Sequence, residues 1–230
     1  MIALRGLSPS TGESGILALL IAQLIVAYLL GSISGSLVLG RLRGVDIRTQ
    51  GSGNAGGTNA LRVAGWRFAL GVVVIDVGKG ALAAWLGAVA IAGFAAPAWW
   101  SAPLLAPCAC GFAAVLGHCW PVYFGFRGGK GAGTAVGAVL VMAPLVAGLM
   151  FTVWVAVIAA FRYVGFATVI AALAFPLSLW LLDRLGHPHP QALGTFALAI
   201  AALILFTHRA NLRRMARGEE PRIGRAARSP

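Results

Sequence analysis

Residues 132–161, AGTAVGAVLVMAPLVAGLMFTVWVAVIAAF, run for thirty positions without a charge and contain one proline, Pro144. A helix needs about 20 residues to cross a hydrocarbon core about 30 Å thick. The run is therefore too long for one crossing and short for two. An internal proline removes a backbone hydrogen bond and clashes with the preceding turn, so it breaks or kinks a helix. Division at Pro144 leaves two pieces averaging about 22 Å at 1.5 Å per residue. The segment reads as two short crossings or as a partly re-entrant pair.

Other apolar stretches fall at about 15–40, 66–93, 101–117, 164–182 and 191–207, with basic segments at 41–67, at 118–131 and after Phe206. Basic residues next to spans stay on the cytoplasmic side, so all three basic segments are placed inside. Residues 94–100 are uncharged and carry Trp99 and Trp100, and they read as the outer end of a hairpin. The chain is then inside at both 131 and 208, which requires an even number of crossings between them. Division at Pro144 supplies it, with Arg162 at the cytoplasmic face. The expected fold is an all-α integral membrane protein of about seven transmembrane helices, some short. Its N-terminus is outside, and Gly-rich cytoplasmic loops form the site. Residues 1–230 read as one domain, with 208–230 a basic cytoplasmic tail. No internal repeat supports an inverted-repeat transporter.

Composition agrees. Of 230 residues, 59% are hydrophobic and 10% charged, and the mean hydropathy is +0.87. Soluble domains carry about 25% charged residues. Eighteen Lys and Arg against six acids give +12, which first reflects topology and then an anionic substrate or anionic headgroups. No basic soluble module interleaved with aromatics points to nucleic acid. Cys108, Cys110 and Cys119 lack metal-site spacing and are odd in number for a disulfide framework. They read as small apolar fillers. The first apolar run is longer than a signal-peptide core, so cleavage is not expected.

The polar chemistry lies between the spans. Gly51-Ser-Gly-Asn-Ala-Gly-Gly-Thr-Asn59 has four glycines and no apolar side chain larger than Ala. Successive N–H groups of such a backbone converge into anion-binding nests. Ser52, Asn54, Thr58 and Asn59 add donors, and Arg48 and Arg62 flank the run. The alternative is a flexible turn. Gly117-His-Cys-Trp-Pro-Val-Tyr-Phe-Gly-Phe-Arg-Gly-Gly-Lys-Gly131 ends on the same logic, a bare backbone with Arg127 and Lys130. Its aromatics suit the membrane boundary. Asp76 and Lys79 stand i, i+3 inside an apolar run. Ionisable groups at that depth mark either a functional site or a structural ion pair. His208 and Asn211 share a face where the last span leaves the membrane. Arg213, Arg214 and Arg217 follow, suited to lipid phosphates. His187 and His189 read as loop residues, and no metal site or cofactor is expected.

These segments, in order, resemble the bacterial membrane-embedded glycerol-3-phosphate acyltransferases that use acyl phosphate, the PlsY type. The resemblance rests on Gly31-Ser-Ile-Ser34, Gly51–Asn59 with Arg62, Asp76-Val-Gly-Lys-Gly80, Gly117-His-Cys-Trp-Pro121 and Arg127-Gly-Gly-Lys-Gly131. It closes with His208-x-x-Asn211 and Gly218-Glu219. Ser34 stands where the family often has Pro, Gly57 where it often has Ala, and Gly165 where it has Ser, with Thr168 at a later hydroxyl position.

The resemblance implies acyl transfer from acyl phosphate to the 1-hydroxyl of sn-glycerol 3-phosphate, giving 1-acyl-glycerol 3-phosphate and inorganic phosphate in the bacterial inner membrane. Two polyanions must meet, so a cationic pocket is demanded. The donor is already activated, which lowers the need for a nucleophilic side chain. Expected catalytic residues are His118, His208 and Asn211, positioning hydroxyl or carbonyl. Expected phosphate contacts are Arg48, Ser52, Gly53, Asn54, Gly56, Thr58, Asn59, Arg62, Lys79, Arg127, Lys130 and Thr168, with Asp76 and Glu219 as polar support. The substrate phosphate is expected to take the proton. The protein is expected to work as a monomer with membrane lipid as its surroundings and no nucleic acid. A membrane transporter or channel for phosphate esters is the alternative, but the polar density sits at the cytoplasmic end rather than the midplane. A CDP-alcohol phosphotransferase needs clustered aspartates. Asp46, Asp76 and Asp183 are too far apart.

Overall fold

The structure is a computed structural model that describes residues 9–89 and 103–223. Trp99 and Trp100 lie outside the described residues. The described chain is helical: α1 (Pro9–Gly31), α2 (Gly35–Leu42), α3 (Gly57–Val89), α4 (Leu105–Cys119), α5 (Ala132–Met142), α6 (Pro144–Phe161), α7 (Val164–Arg184), α8 (Gln191–Thr207) and α9 (Arg209–Ala216). Two short 3-10 turns occupy Ile47–Thr49 and Val122–Phe124.

By length and apolarity, four helices can each cross a membrane, and six spans result if each bent pair counts as one. The pairs are α1 with α2, bent by 50°, and α8 with α9, bent by 52°. The remaining apolar helix, α5, has eleven residues and is about 16 Å long. It is joined to α6 across the extended Ala143, and Pro144 opens α6, where its missing N–H costs nothing. The thirty-residue run is therefore divided where the proline stands.

At about 50 Å, α3 would overshoot the bilayer if straight. Gly65 adopts φ 79 and ψ 178 and separates a lead, 57–64, from the long part, 66–89, of about 36 Å. A side-chain-bearing residue would be strained at that φ. The sequence did not announce this kink. Trp66, exposed and covered by the Arg67 guanidinium, follows it.

Burial runs inward from lipid. Leu70, Val74, Trp85, Phe151, Leu177 and Leu198 are exposed on outer helix faces, whereas Val115, Val139, Phe175, Ile200 and Ile204 fill the centre between α4, α5, α7 and α8. Lipid is as apolar as the core, so close packing holds such helices together. Gly80 stands against the Thr134 carbonyl and Gly137 against the Val77 carbonyl, and a methyl at either would overlap backbone. This lets α5 lie directly on α3. The three cysteines are buried and free.

Candidate active site beneath the glycine-rich loops

The break between α1 and α2, at residues 32–34, exposes backbone groups inside the bundle. Asp76 and Lys79 of α3 satisfy them. Gly35 N–H donates to Asp76 Oδ1 at 3.0 Å, and Lys79 Nζ donates to the Ile33 carbonyl at 2.8 Å. The two side chains also pair at 2.9 Å, and Lys79 Nζ donates to His118 Nδ1 at 2.9 Å. An ammonium has three protons, and here Asp76, Ile33 and His118 take all three. Lys79 is 6% exposed, and its donors are engaged within the protein. Asp76 is 4% exposed. His118 Nδ1 also lies 3.4 Å from Asp76 Oδ1; with the Lys79 ammonium donating to Nδ1, neutral His118 carries its proton on Nε2. That nitrogen lies against Gly129, where a Cβ would overlap both it and the Ala55 carbonyl.

The first loop is pinned from within. Asn59, 1% exposed, accepts from Ser52 N–H at 2.8 Å and donates to the Ile47 and Gln50 carbonyls, both at 3.0 Å. Its amide is engaged by backbone on both its oxygen and its nitrogen. Gly53 N–H bonds the Gln50 carbonyl and Gly56 N–H the Asn54 carbonyl, so these two shape the loop and do not offer N–H groups to an anion. The side chains of Ser52, Asn54 and Thr58 carry no hydrogen bond among the described residues. They sit beside the open N-terminus of α3, where unpaired N–H groups and the helix dipole favour negative charge.

Arg48 is also committed. Its guanidinium bonds Asp46 at 2.8 Å and reaches across to the Phe124 and Arg127 carbonyls at 3.1 and 3.3 Å. The guanidinium holds the Asp46 carboxyl below its ordinary range. Arg48 thus ties the first loop to the second.

The second loop folds back on α4. Gly128 N–H donates to the Cys119 carbonyl and Gly129 N–H to the His118 carbonyl, filling orphan acceptors at the α4 C-terminus. Those two amides are therefore not an anion nest, which the bare backbone had suggested. Arg127 projects outward, exposed. Lys130 turns inward and donates to Asn211 Oδ1.

The last cluster meets it there. Asn211 Nδ2 donates to Glu220 Oε1 at 2.7 Å, and Arg214 Nε donates to Glu220 Oε2 at 2.8 Å. Glu220 is 7% exposed, whereas Glu219, expected as polar support, is exposed. Nothing in the sequence distinguishes the two acids. Gly165 on α7 lies so close to Asn211 that a Cβ would stand 2.8 Å from its amide. Thr168 faces the other way. It donates to the Val164 carbonyl and accepts from Trp154 Nε1 at 3.2 Å, joining α6 to α7.

Between the three segments opens a pocket of about 280 Å³. Asn54, Gly129, Lys130, Thr207 and Arg209 line it, with Trp120, Cys119 and Phe206 on the apolar side. Thr207 Oγ1 donates to the Lys130 carbonyl at 3.1 Å, fixing the loop to the end of α8. Burial, aided by the nearby Arg214 and Arg62 charges, pulls the Lys130 amine down to about 8, with Glu220 opposing. His208 next to the pocket bonds the Ile204 carbonyl through Nδ1 at 2.9 Å, so Nδ1 carries the proton. Burial and the Lys130 charge lower its pKa to about 4, against that hydrogen bond. Arg62 stays exposed, with one long contact to the Pro221 carbonyl. Thr207, Arg209 and Phe206 were not singled out beforehand. Their only signal was adjacency to His208.

An all-helical membrane bundle with a cationic, half-apolar pocket under glycine-rich loops suits an enzyme that joins an anionic water-soluble molecule to a lipid. Residues 21–218 match the glycerol-3-phosphate acyltransferase family. The chain is 39% identical to a glycerol-3-phosphate acyltransferase of Chlorobium phaeobacteroides, with 89% of this chain and 96% of that protein covered. It is 38% identical to that of Aquifex aeolicus, over 86% and 96%. Among solved structures it is similar to PlsY (YgiH) in its glycerol 3-phosphate form, with TM-score 0.77, 37% identity and coverage of 89% of this chain and 96% of that one. The lysophosphatidic acid form gives TM-score 0.75 at 36% identity, over 89% and 95%. The chain belongs to the glycerol-3-phosphate acyltransferase family: it is an integral, multi-pass membrane enzyme that makes lysophosphatidic acid.

Proposed function

We propose that the enzyme takes its acyl group from acyl phosphate and delivers it to the 1-hydroxyl of glycerol 3-phosphate at the cytoplasmic face of the bacterial inner membrane. The N-terminus then lies outside, with the loops and C-terminus inside. The observation that carries this reading is the pocket itself, lined both by the polar Lys130, Arg209 and Asn54 and by the apolar Trp120, Cys119 and Phe206, with the Arg209 guanidinium over the Phe206 ring. An acyl phosphate has the same two halves, a charged head and a tail that belongs in lipid.

Lys130, Ser52, Asn54 and Thr58 bind phosphate oxygens, aided by the α3 N-terminus. The exposed Arg62, Arg127 and Arg209 attract the second polyanion. Asn211, held by Glu220, sets the position of Lys130. The 1-hydroxyl oxygen attacks the acyl carbonyl, the acyl–oxygen bond to phosphate breaks, and inorganic phosphate leaves. No side chain serves well as base. His208 with a pKa near 4 binds protons weakly, and His118 uses Nδ1 for Lys79 and packs beneath Gly129. The hydroxyl proton passes to phosphate oxygen. Holding two activated reactants together supplies much of the rate.

Detergent-purified protein incubated with acyl phosphate and glycerol 3-phosphate is expected to release inorganic phosphate and lysophosphatidate in equal amounts. Acyl transfer from another thioester or anhydride donor, with none from acyl phosphate, would refute the donor assignment.

A further inference from the structure

The reaction leaves unused a second pocket on the opposite side of the second loop. It measures about 240 Å³ and lies between α2, the turn at 47–49 and the turn at 122–124. Leu37, Val45 and Phe124 form apolar walls, and Arg41, Asp46 and Arg48 supply charge. The Asp46 carboxylate is already neutralised by Arg48. Arg41 is different. Its guanidinium stacks over the Phe124 ring at 5.6 Å and makes no side-chain hydrogen bond or ion pair among the described residues. A guanidinium stacked on an aromatic face keeps its in-plane N–H groups free for a phosphate. The pocket therefore holds one uncompensated positive charge against an apolar lining.

Its surroundings are those of a membrane boundary. Leu42 is 78% exposed at the end of α2, and Tyr123 and Phe126 are exposed on the neighbouring loop, a composition suited to the headgroup level. Basic pockets beside spans on the cytoplasmic side hold anionic headgroups. A free phosphate would use Arg41 but leave the apolar walls and Leu42 in water. A lipid covers both.

We propose that this pocket binds the phosphate of an anionic phospholipid headgroup, with Arg41 as its ligand and the upper acyl chain against Leu42. The same pocket is lined by Arg48 and Phe124, and Arg48 holds the second loop through the Phe124 and Arg127 carbonyls. The bound lipid thus braces the loop that presents Lys130.

The test uses the full chain, purified with phosphatidylglycerol or with neutral phosphatidylcholine, and counts retained lipid by native mass spectrometry. Wild type and the charge-matched control Arg184→Ala, an exposed arginine stacked on Trp180 at the end of α7, are expected to retain phosphatidylglycerol. Arg41→Ala and Arg41→Gln are expected to retain it about fivefold less, with melting and acyl transfer in neutral lipid unchanged. Equal retention by wild type and the Arg41 variants would overturn the proposal. So would equal loss in Arg184→Ala, which would mark a diffuse charge effect. Displacement of the lipid by inorganic phosphate alone would overturn it too, by marking a free-phosphate site.

Discussion

Two polar clusters sit within one bundle, and they do different work. Asp76, Lys79 and His118 lie among α3, α4 and the α1–α2 break, and every proton of Lys79 has an acceptor inside the protein. Their formal charges cancel. Lys130, Asn211, Glu220 and Arg214 lie at the loop face, with Arg62 beside them, and there one carboxylate meets three cations. The first cluster repairs a broken helix; the second keeps positive charge in reserve. Lysine at membrane depth is thus no measure of function by itself. What counts is how many of its donors the fold has already used.

The comparison breaks first if Asp76→Ala is tolerated. Removing it leaves Lys79 buried without its counter-charge and Gly35 N–H without an acceptor, a loss of about 3–5 kcal/mol. Thermal unfolding in detergent is expected to show collapse of the fold, not merely slower turnover. Lys130→Ala is the counterpart. It should melt near wild type but lose on the order of 10²-fold in kcat/KM, since it removes a preorganised cation from developing phosphate charge. An unstable Lys130→Ala with normal specific activity would reverse the assignment of the two clusters.

Arg62→Ala tests the rim more gently. An exposed cation that binds ground and transition state alike should raise the KM for glycerol 3-phosphate about tenfold with kcat kept. pH sharpens the same point. Lys130 is lowered to about 8, so its charge is present below that pH and lost as pH rises through it. The kcat/KM profile of the free enzyme should fall above about pH 8. Lys130→Arg should lose this alkaline limb, because guanidinium stays charged. The smallest effect belongs to Thr168→Val. It should cost about 1 kcal/mol of stability through the lost Trp154 bond and leave acyl transfer within about twofold, if Thr168 is a helix tie and not a ligand.

Much of this was legible along the chain. Pro144 divides the long run where backbone chemistry requires it, and the glycine-rich segments converge as their composition suggested. Arg48, Asn59 and Thr168 show where reading stops. Each is a donor near the right loop, and each is spent on a neighbour distant in sequence: the second loop, the 47–50 backbone, or α6. Glu219 and Glu220 are adjacent and alike, and only the turn after α9 decides which is buried. Gly165 gives no local hint that Asn211 occupies the space of its missing side chain.

Apolar run length, charge sidedness and glycine content determined by themselves that the chain is a membrane bundle with its polar chemistry at one face, because transfer from water to lipid acts on each segment separately. The division of labour among the polar residues was decided only in three dimensions. A hydrogen-bond donor can be used once, and which acceptor reaches it first depends on helices brought together from distant parts of the chain.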